Sequence, residues 1–274
     1  MNKYQHILGK LKVPEGKPTD QAWEELQKKL TTEKPASNIR VLSWKPLLSV
    51  AAAAALIVGL VLAWPNKELR SVACTDGKQQ LISLPDASTA LLNAGSQITF
   101  SEDWSDDRSL ELQGQAFFEV VKGSKFRVAT VSGVVEVLGT SFDVYSRDDN
   151  FRVSCRTGRV RVSAGKQTVE IAPGFTAVLE NKRLLVGKFD LSEADWRNGE
   201  FIFRDTPLNE VFLELGRQFN IRIKTQSHEG RIYTGRFSNK NLQEALQLIC
   251  LPMGLKYRIE NDSSVVIEDA EPVK

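Results

Sequence analysis

The segment "VLGTSFDV" (residues 137–144) places a glycine, two hydroxyl side chains and a carboxylate within five positions. Gly139, Thr140, Ser141 and Asp143 could in principle cradle a phosphate or present a serine nucleophile. A phosphate loop needs a helix N-terminus behind it, whereas this segment continues as an alternating strand. A serine nucleophile needs a base, yet no histidine is near in sequence and the G-x-S-x-G motif is absent. We therefore interpret the segment as a structural turn.

Other residue types that carry chemistry are scarce. The chain has two histidines, His6 and His228, and three cysteines, Cys74, Cys155 and Cys250. The cysteines lack zinc-ligand spacing and are too few for a disulfide scaffold. The apolar neighbours of Cys155 and Cys250 indicate buried positions, whereas the pattern around Cys74 decides nothing. With no nucleophile, base or metal cluster, we predict that the protein is not an enzyme and binds no cofactor.

The length and net charge of the chain limit the number of domains and the kinds of partner that it can bind. A chain of 274 residues has room for about two domains. The net charge is only +2 and no long Lys/Arg run occurs, which argues against direct binding to nucleic acid.

An uncharged apolar segment divides the chain. Residues 47–64 contain no charged side chain, and eighteen helical residues would cover about 27 Å, close to a bilayer core. Trp44 and Trp64 lie at its two ends, where indole rings favour the membrane interface. We therefore predict a single transmembrane helix over residues 46–64. Basic residues are more numerous before it than after it, which predicts a cytoplasmic N-terminus.

The predicted cytoplasmic segment, residues 1–45, contains one amphipathic helix. Apolar side chains recur at helical spacing in residues 19–30, and a second small apolar set lies upstream. The two sets are Trp23, Leu26 and Leu30, and Ile7, Leu8 and Leu11. A helix this short is marginal alone in water. Either the segment is a mere anchor, or it folds against a cytosolic partner with Trp23 as a hot spot.

Residues 81–186 alternate with period two, and turn signals recur about every ten residues. The pattern predicts an all-β domain over residues 65–190, and it cannot separate a solenoid from a sandwich. The alternation changes phase at Gly139, which predicts a β-bulge that keeps Val137 and Phe142 facing the core. Gly158 and Gly174 mark further turns.

The C-terminal part contains an internal repeat. Residues 203–215 align without gaps to residues 237–249, and each copy reads strand, helix, strand. We predict a small α+β domain of two βαβ repeats over residues 195–272. The predicted fold class is therefore a single transmembrane helix, an all-β domain that is solenoid- or sandwich-like, and this small domain.

Several of these stretches together resemble the FecR family of transmembrane anti-sigma regulators. The matching motifs share their order and spacing with the family and are "LPDAS" (84–88), "LNAGS" (92–96), "GQAFFEV" (114–120), "VLGTSFDV", "GRVRV" (158–162), "APG" (172–174) and "FIFRDTPLNEV" with its repeat. The resemblance covers residues 81–269, and "AWEEL" followed by an apolar span also suits the family.

The resemblance implies a signalling protein of the inner membrane that crosses it once. Its cytoplasmic tail would hold an extracytoplasmic-function sigma factor. Its periplasmic β domain would be followed by a domain similar to the short N-terminal domain of secretins and TonB-dependent receptors. That region would receive a signal from the N-terminal signalling domain of a TonB-dependent outer-membrane transporter. Two alternatives remain open: a membrane-anchored assembly module with a secretin-like interaction domain, and a glycan-binding β domain.

The chain departs from the family pattern in one turn. Family members often carry glycine at the position of Ala87. Alanine at positive φ costs about 1 kcal/mol relative to glycine. We therefore expect a different turn at this position.

Overall fold

The computed structural model describes residues 18–32, 68–105, 107–148, 150–191, 196–226 and 228–270. The chain divides into two units, Met1–Pro65 and Asn66–Lys274, which are described separately. Several residues to which the sequence assigns roles lie outside the described ranges: Ile7, Leu8, Leu11, Trp44 and Trp64.

The predicted fold class is wrong in its single transmembrane helix. Within the described ranges, no helix is both long and apolar enough to cross a membrane. The longest of the described helices has 14 residues, whereas a bilayer core requires about 20. The expected span over residues 46–64 lies outside the described residues. The described chain is mostly β with short helices, and the expected membrane location and domain boundaries stay predictions.

The first unit contains one described helix, α1 (Thr19–Thr32), with Asp20 in its first turn and Lys29 in its last. These charges oppose the helix dipole and stabilise the ends. The large apolar side chains of this helix are exposed.

The second unit begins with thirteen strands around one apolar core. Their bounds are β1 Leu69–Cys74, β2 Gln80–Ser83, β3 Thr89–Leu92, β4 Ser96–Ser101, β5 Arg108–Glu119, β6 Phe126–Ala129, β7 Val134–Val137, β8 Ser141–Arg147, β9 Asn150–Cys155, β10 Val160–Ala164, β11 Gln167–Ile171, β12 Phe175–Glu180 and β13 Arg183–Lys188.

The twelve-residue strand β5 belongs to two sheets. Its first half pairs with β4 and β6, in a sheet that continues through β1, β7, β10 and β11. Its second half pairs with β3 and β8, in a sheet that continues through β2, β9, β12 and β13. Ile98 and Val162 of the first sheet share the core with Phe142 and Val153 of the second. The alternating pattern therefore buries one face of each sheet in a common interior.

Gly139 lies in a corner between these sheets. Strand β7 belongs to the first sheet and β8 to the second, so residues 138–140 carry the chain from one to the other. Val137 and Phe142, on either side of the corner, are both buried. The change of phase in the sequence thus coincides with a change of sheet, not with a bulge inside one strand.

The C-terminal part contains a 3₁₀ helix and two strand–helix–strand copies. The elements are the 3₁₀ helix Trp196–Asn198, β14 Glu200–Pro207, α2 Leu208–Phe219, β15 Arg222–Thr225, β16 Ile232–Ser238, α3 Leu242–Cys250, β17 Leu255–Asn261 and β18 Ser264–Asp269. Strand β14 pairs antiparallel with β16, whereas β18 lies between the parallel β15 and the antiparallel β17. The two strands that flank each helix therefore lie in different sheets. The apolar faces of α2 and α3 share a second core.

The turn at residues 84–88 has positive φ at alanine, contrary to our expectation. Ala87 adopts φ 64°. The Asp86 carboxylate accepts hydrogen bonds from the Ser88 backbone N–H at 2.9 Å and from its hydroxyl at 2.7 Å. The same carboxylate pairs with the buried Arg108 guanidinium at 2.8 Å. Because a buried charge left unpaired is costly, these contacts hold the turn in a conformation that alanine disfavours.

Replacing Ala87 with glycine should stabilise the protein. Glycine adopts positive φ without the Cβ penalty, and we expect the free energy of unfolding to rise by about 1 kcal/mol. Urea denaturation of the full chain measures this. The control is Ala172→Gly, at an exposed turn position without positive φ, where glycine should give no gain. An Ala87→Gly protein no more stable than the wild type would contradict the strain at Ala87.

Replacing Gly139 with valine should destabilise the protein. A Cβ at this position would lie 2.6 Å from the Lys122 Cα, and φ is 154°. Backbone atoms cannot move aside cheaply, so we expect a loss of about 2–4 kcal/mol in the free energy of unfolding. Gly187→Val is the control, because an added Cβ in that strand meets only the Thr176 methyl at 3.7 Å. Equal melting temperatures of the two variants would refute the close approach at Gly139.

Candidate functional site

Helix α1 presents an apolar stripe to solvent. Trp23 is 65% exposed, Leu26 52% and Leu30 76%. Their spacing of three and four residues places them on one helix face. Exposed aromatic and aliphatic side chains grouped in this way are typical of helices that bind in a partner's groove. Sequence reasoning identified all three residues.

The second unit contains a chain of buried amides that joins the β domain to the C-terminal domain. The Gln115 side-chain amide donates to the Asp143 carboxylate at 3.0 Å, and the Gln115 carbonyl oxygen accepts from the Asn93 amide at 3.0 Å. The Asn93 oxygen accepts from the Gln218 amide at 2.9 Å. Asn93 is fully buried and Gln115 and Gln218 nearly so. Because buried polar groups must be hydrogen-bonded, each amide fixes the orientation of the next.

The amide chain ends in an ion pair on α2. The Gln218 amide also donates to Glu214 Oε1 at 2.8 Å. The other oxygen of that carboxylate accepts from Arg217 Nε at 3.1 Å and Nη2 at 2.8 Å. Both side chains are largely buried, and the two-point contact satisfies the Glu214 charge within the protein.

The segment that connects the two domains is hydrogen-bonded to the β domain at Trp196. Its indole N–H donates to Asp143 Oδ2 at 2.7 Å, and its backbone carbonyl accepts from the Gln79 amide at 2.7 Å. The guanidinium of Arg197 stacks 4.0 Å from the centroid of the Phe117 ring. A charge-assisted hydrogen bond and a cation–π contact thus fix adjacent residues of the connection to the β domain.

A buried arginine supports the loop that carries Asn93. Arg147 donates to the Ala94 carbonyl at 2.6 Å, to the Gly95 carbonyl at 3.3 Å and to the Ser96 hydroxyl at 3.1 Å. Burial lowers the pKa of Arg147, and the nearby Glu214 carboxylate opposes that shift. Hydrogen bonds from the Arg147 guanidinium therefore hold the loop that contains the "LNAGS" motif in position.

Apolar side chains complete the junction. Phe117 of β5 is buried in the core of the C-terminal domain, and Leu91 of β3 packs against the same core. The two domains of this unit therefore share hydrophobic contacts as well as hydrogen bonds.

The arrangement does not resemble a catalytic centre. Most of its polar groups are hydrogen-bonded to one another, and no group of three potential metal ligands occurs among the described residues. Burial raises the pKa of the Cys155 and Cys250 thiols to about 11, and it also raises the pKa of Cys74. His228 is buried and shares a 2.8 Å hydrogen bond with the Thr225 hydroxyl. The chemistry of this site is the docking of one domain on the other.

The three glycines that the sequence singled out lie away from this junction. Gly158 packs against the corner formed by Gly139 and Thr140, where an added Cβ would lie 2.5 Å from the Thr140 Cγ2. The Gly174 N–H donates to the Cys155 carbonyl at 3.0 Å. Sequence reasoning missed the junction residues Asn93, Gln115 and Gln218. The one available signal was the amide of Gln115, which lies within strand β5, whereas Asn93 follows β3 and Gln218 lies in α2.

Family comparisons match the two parts of the second unit separately. Residues 70–161 match the model described as "FecR protein", and residues 200–267 match "FecR, C-terminal". Together the two models match more than half of the chain. A comparison with curated proteins found no match.

Comparison with solved structures agrees with the two family matches. Two crystal structures, determined at 2.50 and 1.65 Å resolution, resemble this chain. Both are of a protein from Parabacteroides distasonis ATCC 8503 that is described as a candidate anti-sigma factor. Both are 28% identical to this chain, with TM-scores of 0.69 and 0.68. Each match covers 74% of this chain and 100% of the other.

Removing the indole N–H of Trp196 should weaken the junction. Trp196→Phe leaves Asp143 without its 2.7 Å donor, and we expect a loss of about 1–3 kcal/mol in the free energy of unfolding. Circular dichroism during urea denaturation measures it. Trp104→Phe is the control, because the Trp104 indole N–H has no hydrogen-bond partner among the residues that the structure describes, and removing it should cost less than about 1 kcal/mol. Equal losses in the two variants would contradict the role of the Trp196–Asp143 bond.

Proposed function

Because the chain belongs to the FecR family, we propose that it holds an extracytoplasmic-function sigma factor through its N-terminal segment. The family and the solved relative support an anti-sigma regulatory role. We further propose that the second unit receives the signal, from the N-terminal signalling domain of a TonB-dependent transporter.

The observation that carries the proposal is the exposed stripe on α1. The side chains of Trp23, Leu26 and Leu30 lie on one face of a fourteen-residue helix. An isolated helix of this length is marginal in water, so a partner that covers the stripe would also stabilise the helix. Tryptophan is among the residues that contribute most to binding when buried at an interface. The helix therefore has a suitable surface for a protein partner and gains order when it binds.

The second unit suits reception of a signal better than catalysis. Its two matched segments meet at a junction where Asp143, Gln115, Asn93 and Gln218 are hydrogen-bonded in series. A transporter domain bound to the C-terminal domain would act on the β domain through these contacts. The buried amides and the Trp196 anchor support this part of the proposal because they couple the two domains directly.

Truncating the stripe should weaken sigma-factor binding. We expect the full chain carrying Trp23→Ala and Leu26→Ala to lose about 2 kcal/mol or more, about 30-fold in affinity, for its sigma factor. Isothermal titration of each extracytoplasmic-function sigma factor of the organism against the wild-type chain first identifies the partner. The same titration then compares the variants.

Gln21→Ala is the matched control. Gln21 is exposed and lies about 200° around the helix from Trp23, so its loss should leave affinity unchanged. Circular dichroism of each full-length variant checks that the β domain remains folded. Wild-type affinity in the doubly truncated protein, or binding to none of the sigma factors, would refute the proposal.

A further inference from the structure

A groove runs beside the corner at residues 138–140, far in the sequence from α1 and outside the junction. Its volume is about 430 Å³, within the range of small-molecule pockets. Val137, Leu138 and Thr140 contribute to its walls. The charged residues that line it are Lys122, Lys125, Arg159, Arg161, Glu136 and Glu170.

The charges in the groove do not cancel. Lys125 pairs with Glu136 at 3.2 Å, and Arg161 pairs with Glu170 at 2.8 Å. These pairs occupy both carboxylates. Lys122 and Arg159 have no ion-pair or hydrogen-bond partner within the described part of the chain. The groove therefore carries an excess of two positive charges, as large as the net charge of the whole protein, +2.

Both unpaired cations are attached to backbone that packs against one corner. On one side, the Gly123 N–H donates to the Leu138 carbonyl at 2.8 Å, and a Cβ at Gly139 would lie 2.6 Å from the Lys122 Cα. On the other side, a Cβ at Gly158, next to Arg159, would lie 2.5 Å from the Thr140 Cγ2. Close backbone contacts thus fix where the two side chains begin, which lowers the entropy cost of bringing them to a shared ligand.

Thr140 supplies an independent observation. It is 5% exposed, and its hydroxyl is buried without a hydrogen-bond partner among the described residues. Such a group costs stability unless another polar atom reaches it. Thr140 lines the groove, so a rotation of its side chain about χ1 would let this hydroxyl donate to a ligand oxygen.

We propose that this groove binds a small organic phosphate. Arg159 would contact two phosphate oxygens in its planar geometry, and Lys122 would add a second charge. Leu138, 62% exposed, would contact the apolar part of the ligand. The inference does not depend on the proposed function, since the groove and α1 are separate features of the chain.

Inorganic pyrophosphate is the probe. Isothermal titration of the full chain at fixed ionic strength should detect binding, with acetate showing none. The double variant Lys122→Met, Arg159→Gln should bind at least about tenfold more weakly. The control, Arg236→Ala with Lys240→Ala, removes two exposed positive charges in the C-terminal domain and should bind as the wild type does. No binding by the wild type, or equal binding by the two double variants, would overturn the proposal.

The variant Thr140→Val distinguishes a specific phosphate site, which includes the Thr140 hydroxyl, from general electrostatic attraction of pyrophosphate to the cations. Valine has a similar shape and no hydroxyl, so the variant should bind pyrophosphate several-fold more weakly without a lower melting temperature. Loss of binding in the charge variant with unchanged affinity in Thr140→Val would indicate general electrostatic attraction and would overturn the site.

Discussion

The carboxylate of Asp143 imposes the constraint on which the arrangement of the second unit depends. A carboxylate that is partly withdrawn from water, as Asp143 is, loses hydration and must be matched by hydrogen-bond donors, or the protein loses stability. Its donors include the Gln115 amide and the Trp196 indole N–H, which come from a central strand and from the connection to the next domain. Satisfying one charge therefore fixes where the C-terminal domain begins. The amides of Asn93 and Gln218 extend the same requirement to α2.

This constraint also clarifies the segment "VLGTSFDV". Its residue types suggested phosphate or acyl chemistry, yet its members serve different structural purposes. Val137 and Phe142 fill the core, Gly139 allows the chain to pass close to Lys122 between the two sheets, and Asp143 anchors Trp196. One short motif thus links the β domain's interior to its junction with the next domain.

Local patterns in the sequence were sufficient for some of these features and insufficient for others. Alternation around Val137 and Phe142 predicted which side chains are buried, because period two is a property of each strand by itself. It could not reveal that the neighbouring strands belong to different sheets, since pairing depends on distant segments. The Asn93–Gln218 hydrogen bond joins residues 125 positions apart, and no local pattern encodes it. The transmembrane helix was wrong, since no helix among the described residues is long and apolar enough to cross a membrane, and apolar composition alone does not set the length of a helix. Ala87 shows the converse: tertiary contacts of Asp86 outweigh the local preference of alanine.

We propose that regulation involves two parts of one chain, a helix with an uncovered apolar face and a unit whose domains are coupled by buried hydrogen bonds. Hydrogen exchange of the full chain, with and without its sigma factor, tests the central claim most directly. Amides of Thr19–Thr32 should exchange rapidly in the free protein and become strongly protected in the complex, because binding stabilises a marginal helix. A complex that forms while exchange in this helix stays unchanged would contradict the account.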